Sequence, residues 1–532
     1  MMTTKRSGKV FPTQQSLNKA IKGITDILRR SNCAGALQYI PELTWILFLR
    51  ILDEQETNEA ERVEATGRVF DYSIESPYRW HDWAAPYEPS LFHDPDNHKP
   101  QGWKRRELET KGEGSLLAFV NDELFPYLRG LGQHPQATSR QKIVGEIAAN
   151  IERTRIDTEY NLIEVLNRVQ EIRADSIDPT HIFPLSQVYE GLLLKMGHKS
   201  NDGGQFFTPR EVVRAMVRAI DPQPDESIYD PCCGTGGFLV QCYEHVRQKQ
   251  ADSVGELPPD SAIQPCHLYG REKENLIYPI ALANLVLHGI DEPHIWHGNT
   301  LTGNEIYGGL FEHAPRRFDV IVTNPPFGGK ESKVAQTQFA YKSSSTQLLF
   351  LQHVIDSLAP GGRCAIVVDE GILFRTNDTA FVQTKRKLLD TCNLWCVISL
   401  PSGTFVNAGA SIKTDILFFI KGELTEKIWY YDLSDIKISK TEPLTAEHFA
   451  GFFNLMPGLA DSDRSWSITR GQIEKNNYDL KAVNPHFKAQ HDDRDADELL
   501  RLMQEQHRTI QGNLQALGLL MSWPTPQITV SS

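Results

Sequence analysis

Asn324, Pro325, Pro326 and Phe327 close a strongly apolar run, FDVIVTNPPFGG. Two consecutive prolines bar helix continuation and push Asn324 and Pro325 toward extended backbone. The Asn324 amide oxygen and the Pro325 carbonyl are therefore expected as two rigid acceptors at a strand end, with the flat apolar ring of Phe327 beside them. Two acceptors and a ring suit a planar base bearing an exocyclic NH2. The bland alternative is a structural Pro-Pro turn. Because a tetrapeptide is short, its weight comes from what precedes it.

Upstream, SIYDPCCGTGGF puts Asp230 at a strand end and Gly234, Gly236 and Gly237 in the turn that opens a helix. Glycines there let backbone approach a ligand closely, and the helix N-terminus is electropositive. The spacing departs from G-x-G-x-x-G, so on its own the segment also reads as a tight strand–helix turn. A second strand ends in Gly270-Arg271-Glu272. A carboxylate at that tip can accept both hydroxyls of a ribose. The interval from Asp230 exceeds the usual ~20 residues, and the polar, Pro-rich stretch Lys249 to Pro265 reads as the insertion responsible. An exposed surface glutamate is the competing reading.

Positioning these residues requires a sheet. Seven short β-rich runs occur at 227–230, 267–270, 295–298, 318–324, 363–368, 394–400 and 415–421. Helix-like stretches at 238–250 and 276–287 separate the early ones, which argues for an α/β fold with a mostly parallel, seven-stranded sheet covered on both faces. The last two runs are expected to form an antiparallel edge hairpin. Residues 14 to about 195 read mainly as helices, with apolar positions such as Leu17, Ile21, Ile24 and Leu28 at helical spacing. An aromatic-rich loop, 71–106, ends in Lys104, Arg105 and Arg106, a cluster read as solvated surface or as a phosphate contact. A long helix is expected over 496–520, with Leu499, Met503, Ile510, Leu514 and Leu517 on one side, packing on its own core or docking on another chain. The expected domains are 1–170 (helical), 171–475 (catalytic) and 476–532 (a C-terminal helical segment for docking on a partner subunit).

Composition narrows the class. The chain has 532 residues, 40% hydrophobic and 23% charged, which excludes wholesale disorder. Lys plus Arg is 55 and Asp plus Glu is 68, a net charge of −13. A protein binding nucleic acid alone is usually basic, so a partner or a local basic patch must supply much of any phosphate attraction. No apolar run approaches the ~18–20 residues of a membrane span. The basic N-terminus lacks an apolar signal core, and a soluble, cytoplasmic protein is expected. The eight cysteines are scattered without zinc-ribbon spacing, and no metal is expected.

These motifs resemble the S-adenosylmethionine-dependent amino-methyltransferases, in the order where the cofactor loop precedes Asn-Pro-Pro-Phe. GGQFFTPREVV (203–213), YGRE, GNTL (298–301) and LPSGTFVNAGASIKTDILFF (400–419) are similar to the modification subunits of Type I restriction–modification systems. The resemblance implies a Rossmann-like methyltransferase domain between an N-terminal helical domain and a C-terminal helical extension. It implies S-adenosyl-L-methionine as cofactor, contacted by Gln205, Phe206, Phe207, Thr208, Pro209 and Arg210, by Thr235, Gly236 and Gly237, by Glu272 and by Asn299. Asn299 stands where many methyltransferases have an Asp facing the adenine ring of the cofactor. Asn324 through Phe327 would be the catalytic tetrad, acting on the N6 amine of an adenine flipped from double-stranded DNA. The implied partners are a DNA specificity subunit that binds two copies of this chain and, in a full system, a restriction or translocase subunit. Rival readings are a solitary DNA methyltransferase, a methyltransferase acting on protein glutamine or RNA, and a non-catalytic cofactor-binding subunit.

Overall fold

The computed structural model describes residues 14–33, 36–92, 99–171, 208–254, 267–290, 292–302, 314–405, 413–439, 442–481, 483–486 and 496–516. Among these, nine strands form one sheet: β1 Ser227–Asp230, β2 His267–Glu272, β3 His294–His297, β4 Phe318–Thr323, β5 Leu358–Asp369, β6 Cys392–Ser399, β7 Thr414–Lys421, β8 Lys427–Asp432 and β9 Ser465–Thr469. Their spatial order is β3-β2-β1-β4-β5-β7-β6-β8-β9. β1 to β5 pair in parallel, and β7 runs antiparallel to both β5 and β6.

All seven expected strands are present, and the sheet continues beyond them. β6 and β7 do pair antiparallel, but β7 lies inside the sheet rather than at its edge. β8 adds in parallel to β6, and β9 closes the edge antiparallel to β8. β8 carries KIWYYD, with Ile428, Trp429, Tyr430 and Tyr431 all buried. A short aromatic run with polar tips and no alternation declares itself as a strand only when a neighbour covers both faces.

Chain order reverses between β1 and β4, which are neighbours although β2 and β3 intervene in sequence. At such a switch point the connections diverge to opposite faces and leave a crevice at the carboxyl ends of the strands. Asp230, Glu272 and Asn324 all fall there, as the last residues of β1 and β2 and the residue after β4.

The helix Tyr278–Leu287, YPIALANLVL, is buried at every position but Pro279. A helix apolar on every side must be covered on every side. It packs on β3 and on the helix Gly237–Val254, while Ala36–Glu64 and Ser139–Ala148 from the N-terminal region cover its other flank. The region up to 482 is thus one compact unit in which the N-terminal helices back the sheet. Ser139–Ala148 opens with a capping box, Thr138 accepting from the Gln141 amide while the Gln141 side chain accepts in return.

The basic triplet is not a uniform surface cluster. Arg105 is buried and donates to the Ala84 carbonyl and Asn167 Oδ1, both at 2.8 Å, so it is structural and unavailable to phosphate. Lys104 pairs with Glu107 at 3.3 Å, and Arg106 lies over the Tyr87 ring.

Residues from Val483 onward form a second unit, whose described helix is Ala496–Ala516, with Met503 and Ile510 exposed. The expected helical residues 517–520, Leu517 among them, lie outside the described residues. No described helix is long and apolar enough to cross a membrane.

Candidate active site

β1 ends in Asp230, whose side chain is buried and accepts from Thr323 Oγ1 at 2.7 Å and from the Cys232 amide at 3.2 Å. It thereby ties the turn after β1 to the end of β4. Burial pushes its carboxyl up to about 7, against these hydrogen bonds. In the turn, Gly234 (φ 54°) and Gly236 (φ 81°) are left-handed, a conformation costly for other residues. Gly237 then begins the helix Gly237–Val254, and a Cβ placed on it would meet nothing within 4 Å.

Two further residues hold this turn: Thr300, inside the GNTL motif, and Asn284, which belongs to no motif. Thr300 Oγ1 donates to the Pro231 carbonyl at 2.6 Å, and Asn284 Nδ2 donates to the Thr235 carbonyl at 2.9 Å. Asn284 is the one amide in an otherwise apolar helix, and that contrast is the signal that could have marked it. Cys232 and Cys233 line the same wall. Burial pushes both thiols well above their ordinary range, so neither is a ready nucleophile.

Glu272 closes β2. Its Oε2 accepts from the Gly234 amide at 3.0 Å and its Oε1 from the Glu274 amide at 2.7 Å. Each oxygen keeps a further lone pair for a ligand. Burial raises this carboxyl to about 7, backbone hydrogen bonds opposing the rise. Asn299, after β3, accepts from the Leu301 amide through Oδ1 at 2.9 Å. That bond orients its amide and leaves the NH2 as the group available to a ligand, a donor where an Asp would present an acceptor.

Asn324 follows β4 with its amide fixed in one sense. Nδ2 donates to Thr208 Oγ1 at 3.0 Å, while Oδ1 is buried without a hydrogen-bond partner. A buried acceptor without a protein donor is costly unless a ligand supplies one. Pro325 is buried, and its carbonyl already accepts from Gln347 Nε2 at 3.2 Å. Phe327 meets Phe405 edge-to-face, ring centroids 5.4 Å apart, and so is braced by a residue from the TFVNAG segment. Pro209 caps the helix Arg210–Ile220, whose first residue, Arg210, reaches the cavity wall. Gln205, Phe206 and Phe207 lie outside the described residues.

One cavity of about 420 Å³ joins these groups. Asp230, Gly234, Thr235, Gly237, Glu272 and Asn299 line it together with Thr208, Asn324 and Pro326. Pro325 and Phe327 are not among its lining residues but adjoin Asn324 and Pro326, which are; the Pro325 carbonyl accepts from Gln347, and Phe327 meets Phe405. Among the described residues no cluster of His, Cys, Asp and Glu could hold a metal ion. The arrangement can bind a ribose-bearing ligand along the glycine turn and accept N–H donors from a second molecule at Asn324.

The N-6 DNA Methylase family matches residues 181–494, and the HsdM N-terminal domain matches residues 17–169. The chain is 34% identical to the Type I restriction enzyme EcoEI methylase subunit of Escherichia coli, covering 93% of this chain and 95% of that one. Among solved structures, it matches a chain from work on complex assembly and conformational transition of the type I R-M system. That match has a TM-score of 0.69 and 36% identity, over 95% of this chain and 98% of the other. A second match, with TM-score 0.74 and 31% identity over 90% and 99% of the two chains, is a modification subunit assigned to a type I restriction enzyme from Vibrio vulnificus YJ016.

Proposed function

The chain belongs to the N-6 DNA methylase family and to the methylase subunits of Type I restriction enzymes, and from that membership we propose how its cavity works. The protein is an adenine-N6 DNA methyltransferase acting as a modification subunit. In our reading the cavity holds S-adenosyl-L-methionine along the glycine turn, with its ribose hydroxyls on Glu272, and receives a flipped adenine at Asn324. The residues present suit that cofactor: a glycine-rich turn at a helix N-terminus, a buried carboxylate with spare lone pairs, and an amide NH2 at Asn299 for the adenine ring. When bound, the cofactor supplies an electrophilic methyl group on a sulfonium.

The single observation carrying the reading is the orphan Asn324 Oδ1, buried and aimed by Thr208. The exocyclic nitrogen of adenine is a weak nucleophile because its lone pair is delocalised into the ring. Accepting its N–H protons at Asn324 Oδ1 and at the second lone pair of the Pro325 carbonyl favours a pyramidal nitrogen and localises that lone pair. The same dipoles stabilise positive charge growing on the nitrogen, an effect commonly worth a few kcal/mol for one group. Because they are held before reaction, no reorganisation is needed at that moment.

The amine cannot be reached in a duplex, so the base is extruded and stacks on Phe327. Phe405, packed on that ring, keeps it in place. Phe327→Ala is expected to weaken handling of the extruded base without weakening cofactor binding. With 2-aminopurine at the target position, the fluorescence rise on binding should shrink several-fold; an unchanged rise would remove the stacking role.

The acidic chain reads sequence through a DNA specificity subunit, two copies of the chain flanking one such subunit. Assembled with that subunit, the chain should convert adenine to N6-methyladenine in duplex DNA, in amounts limited by S-adenosylmethionine. Methylation on cytosine, on RNA or on protein instead would overturn the assignment.

A further inference from the structure

Gln347 is the second residue of the helix Thr346–Ser357 and is 2% exposed. Its Nε2 donates to the Pro325 carbonyl at 3.2 Å, and its Oε1 accepts from the Asp369 amide at 2.8 Å. Asp369 ends β5 and caps the helix Glu370–Phe374, its Oδ1 accepting from the Ile372 amide. One buried amide therefore ties the tetrad after β4 to the end of the adjacent strand β5. A buried amide with both ends satisfied is held in orientation, because rotating it would leave a donor and an acceptor unpaired.

The same helix also anchors the segment that follows the tetrad. Gln352, fully buried, donates to the Tyr341 carbonyl at 2.8 Å and accepts from the Tyr341 amide at 3.0 Å. Thr346 donates its amide proton to the Gly329 carbonyl at 3.1 Å and its hydroxyl proton to Glu331 Oε1 at 3.1 Å. A Cβ on Gly329 would lie 2.5 Å from Thr346 Oγ1, so the backbone after the tetrad comes against this helix closely. Gln347 alone reaches a tetrad carbonyl by a side-chain hydrogen bond among the described residues.

We infer that Gln347 is a positioning residue for methyl transfer: it occupies one lone pair of the Pro325 carbonyl and aims the other at the amine of the target base. This rests on the proposed role of the tetrad. Occupying one lone pair fixes the direction of the carbonyl dipole relative to Asn324 Oδ1, and small misplacements of such groups are costly, up to about a hundredfold in rate. Because an amide does not titrate, the alignment is the same at every working pH.

The test uses the full chain assembled with its specificity subunit, in single-turnover methylation of duplex DNA. Gln347→Leu removes both bonds and should lower the methyl-transfer rate about tenfold to a hundredfold, with S-adenosylmethionine affinity unchanged. Gln347→Glu preserves size. Its protonated form donates to Pro325 and accepts from Asp369, whereas its ionised form faces the Pro325 carbonyl with negative charge. That variant should keep most of the rate at low pH and lose it as pH rises, a limb absent from the unsubstituted enzyme. Should Gln347→Leu fail to fold, the pH profile of Gln347→Glu decides. A Gln347→Glu profile parallel to that of the unsubstituted assembly, or a full rate in folded Gln347→Leu, overturns the inference while leaving the tetrad assignment standing. No methyl transfer by the unsubstituted assembly overturns that assignment and this inference together.

Discussion

Asn324→Ala should lower the rate of methyl transfer by at least about a thousandfold, while S-adenosylmethionine affinity stays within about threefold of the original. The reason is the split use of its amide. Nδ2 is bound to Thr208, so truncation releases one hydroxyl, but Oδ1 has no protein partner and its loss is felt only by a bound donor. An interaction made chiefly in the transition state appears in the rate and not in ground-state binding. Asn324→Asp gives the control. It keeps an acceptor toward the amine, and Thr208 can turn its hydroxyl to donate, so the loss should be smaller than for alanine. Single-turnover transfer of a labelled methyl group measures the rate, and calorimetric titration measures the affinity. Retention of a tenth or more of the rate in the alanine variant would remove Asn324 from the chemistry.

Glu272→Gln should weaken S-adenosylmethionine binding by about a hundredfold, the loss expected where hydrogen bonds to a charged acceptor are exchanged for a mismatched neutral one. Both oxygens of Glu272 already accept backbone amides, and a glutamine NH2 cannot accept either of them. The same carboxyl gives a pH signature. Burial raises it to about 7, whereas hydroxyl donors from a ribose favour its ionised form. Below about pH 7 binding must first remove a proton, so affinity should fall roughly tenfold for each pH unit and level off above. The glutamine variant should show a flat profile. Without cofactor the linkage runs the other way. Between the ordinary carboxylate range and about 7 the folded chain keeps a proton that the unfolded chain has lost. Stability contributed by Glu272 therefore falls as pH rises through that window, and Asp230 and Asp415, also raised to about 7 by burial, act in the same direction. Titrations from pH 6 to 9 that find the same affinity throughout would refute the role given to Glu272.

Much of the catalytic half was legible in the sequence because its signals are local. Proline restricts its own backbone and that of its predecessor, glycine permits the left-handed turn, and apolar runs between helix-like segments mark buried parallel strands. Hence the seven strands, the turn at Gly234 to Gly237, the carboxylate at Glu272 and the end of β4 at Asn324 could all be located by composition and spacing. β8 and β9 were hidden because an aromatic-rich run such as IWYY becomes a strand only against β6.

The pairing of polar groups belonged to the tertiary structure alone. Thr208 and Asn324 are 116 residues apart, and their hydrogen bond exists because Thr208, just ahead of the helix Arg210–Ile220, lies over the crevice after β4. Gln347 looks like any polar residue on a mostly apolar helix until β5 is placed beside β4, and Arg105 looks like one cation of three until Ala84 and Asn167 surround it. Residue types and backbone preferences are short-range and were written in the chain. Which donor finds which acceptor is decided by packing across the sheet, where leaving a buried polar group unpaired costs more than almost any local preference can return.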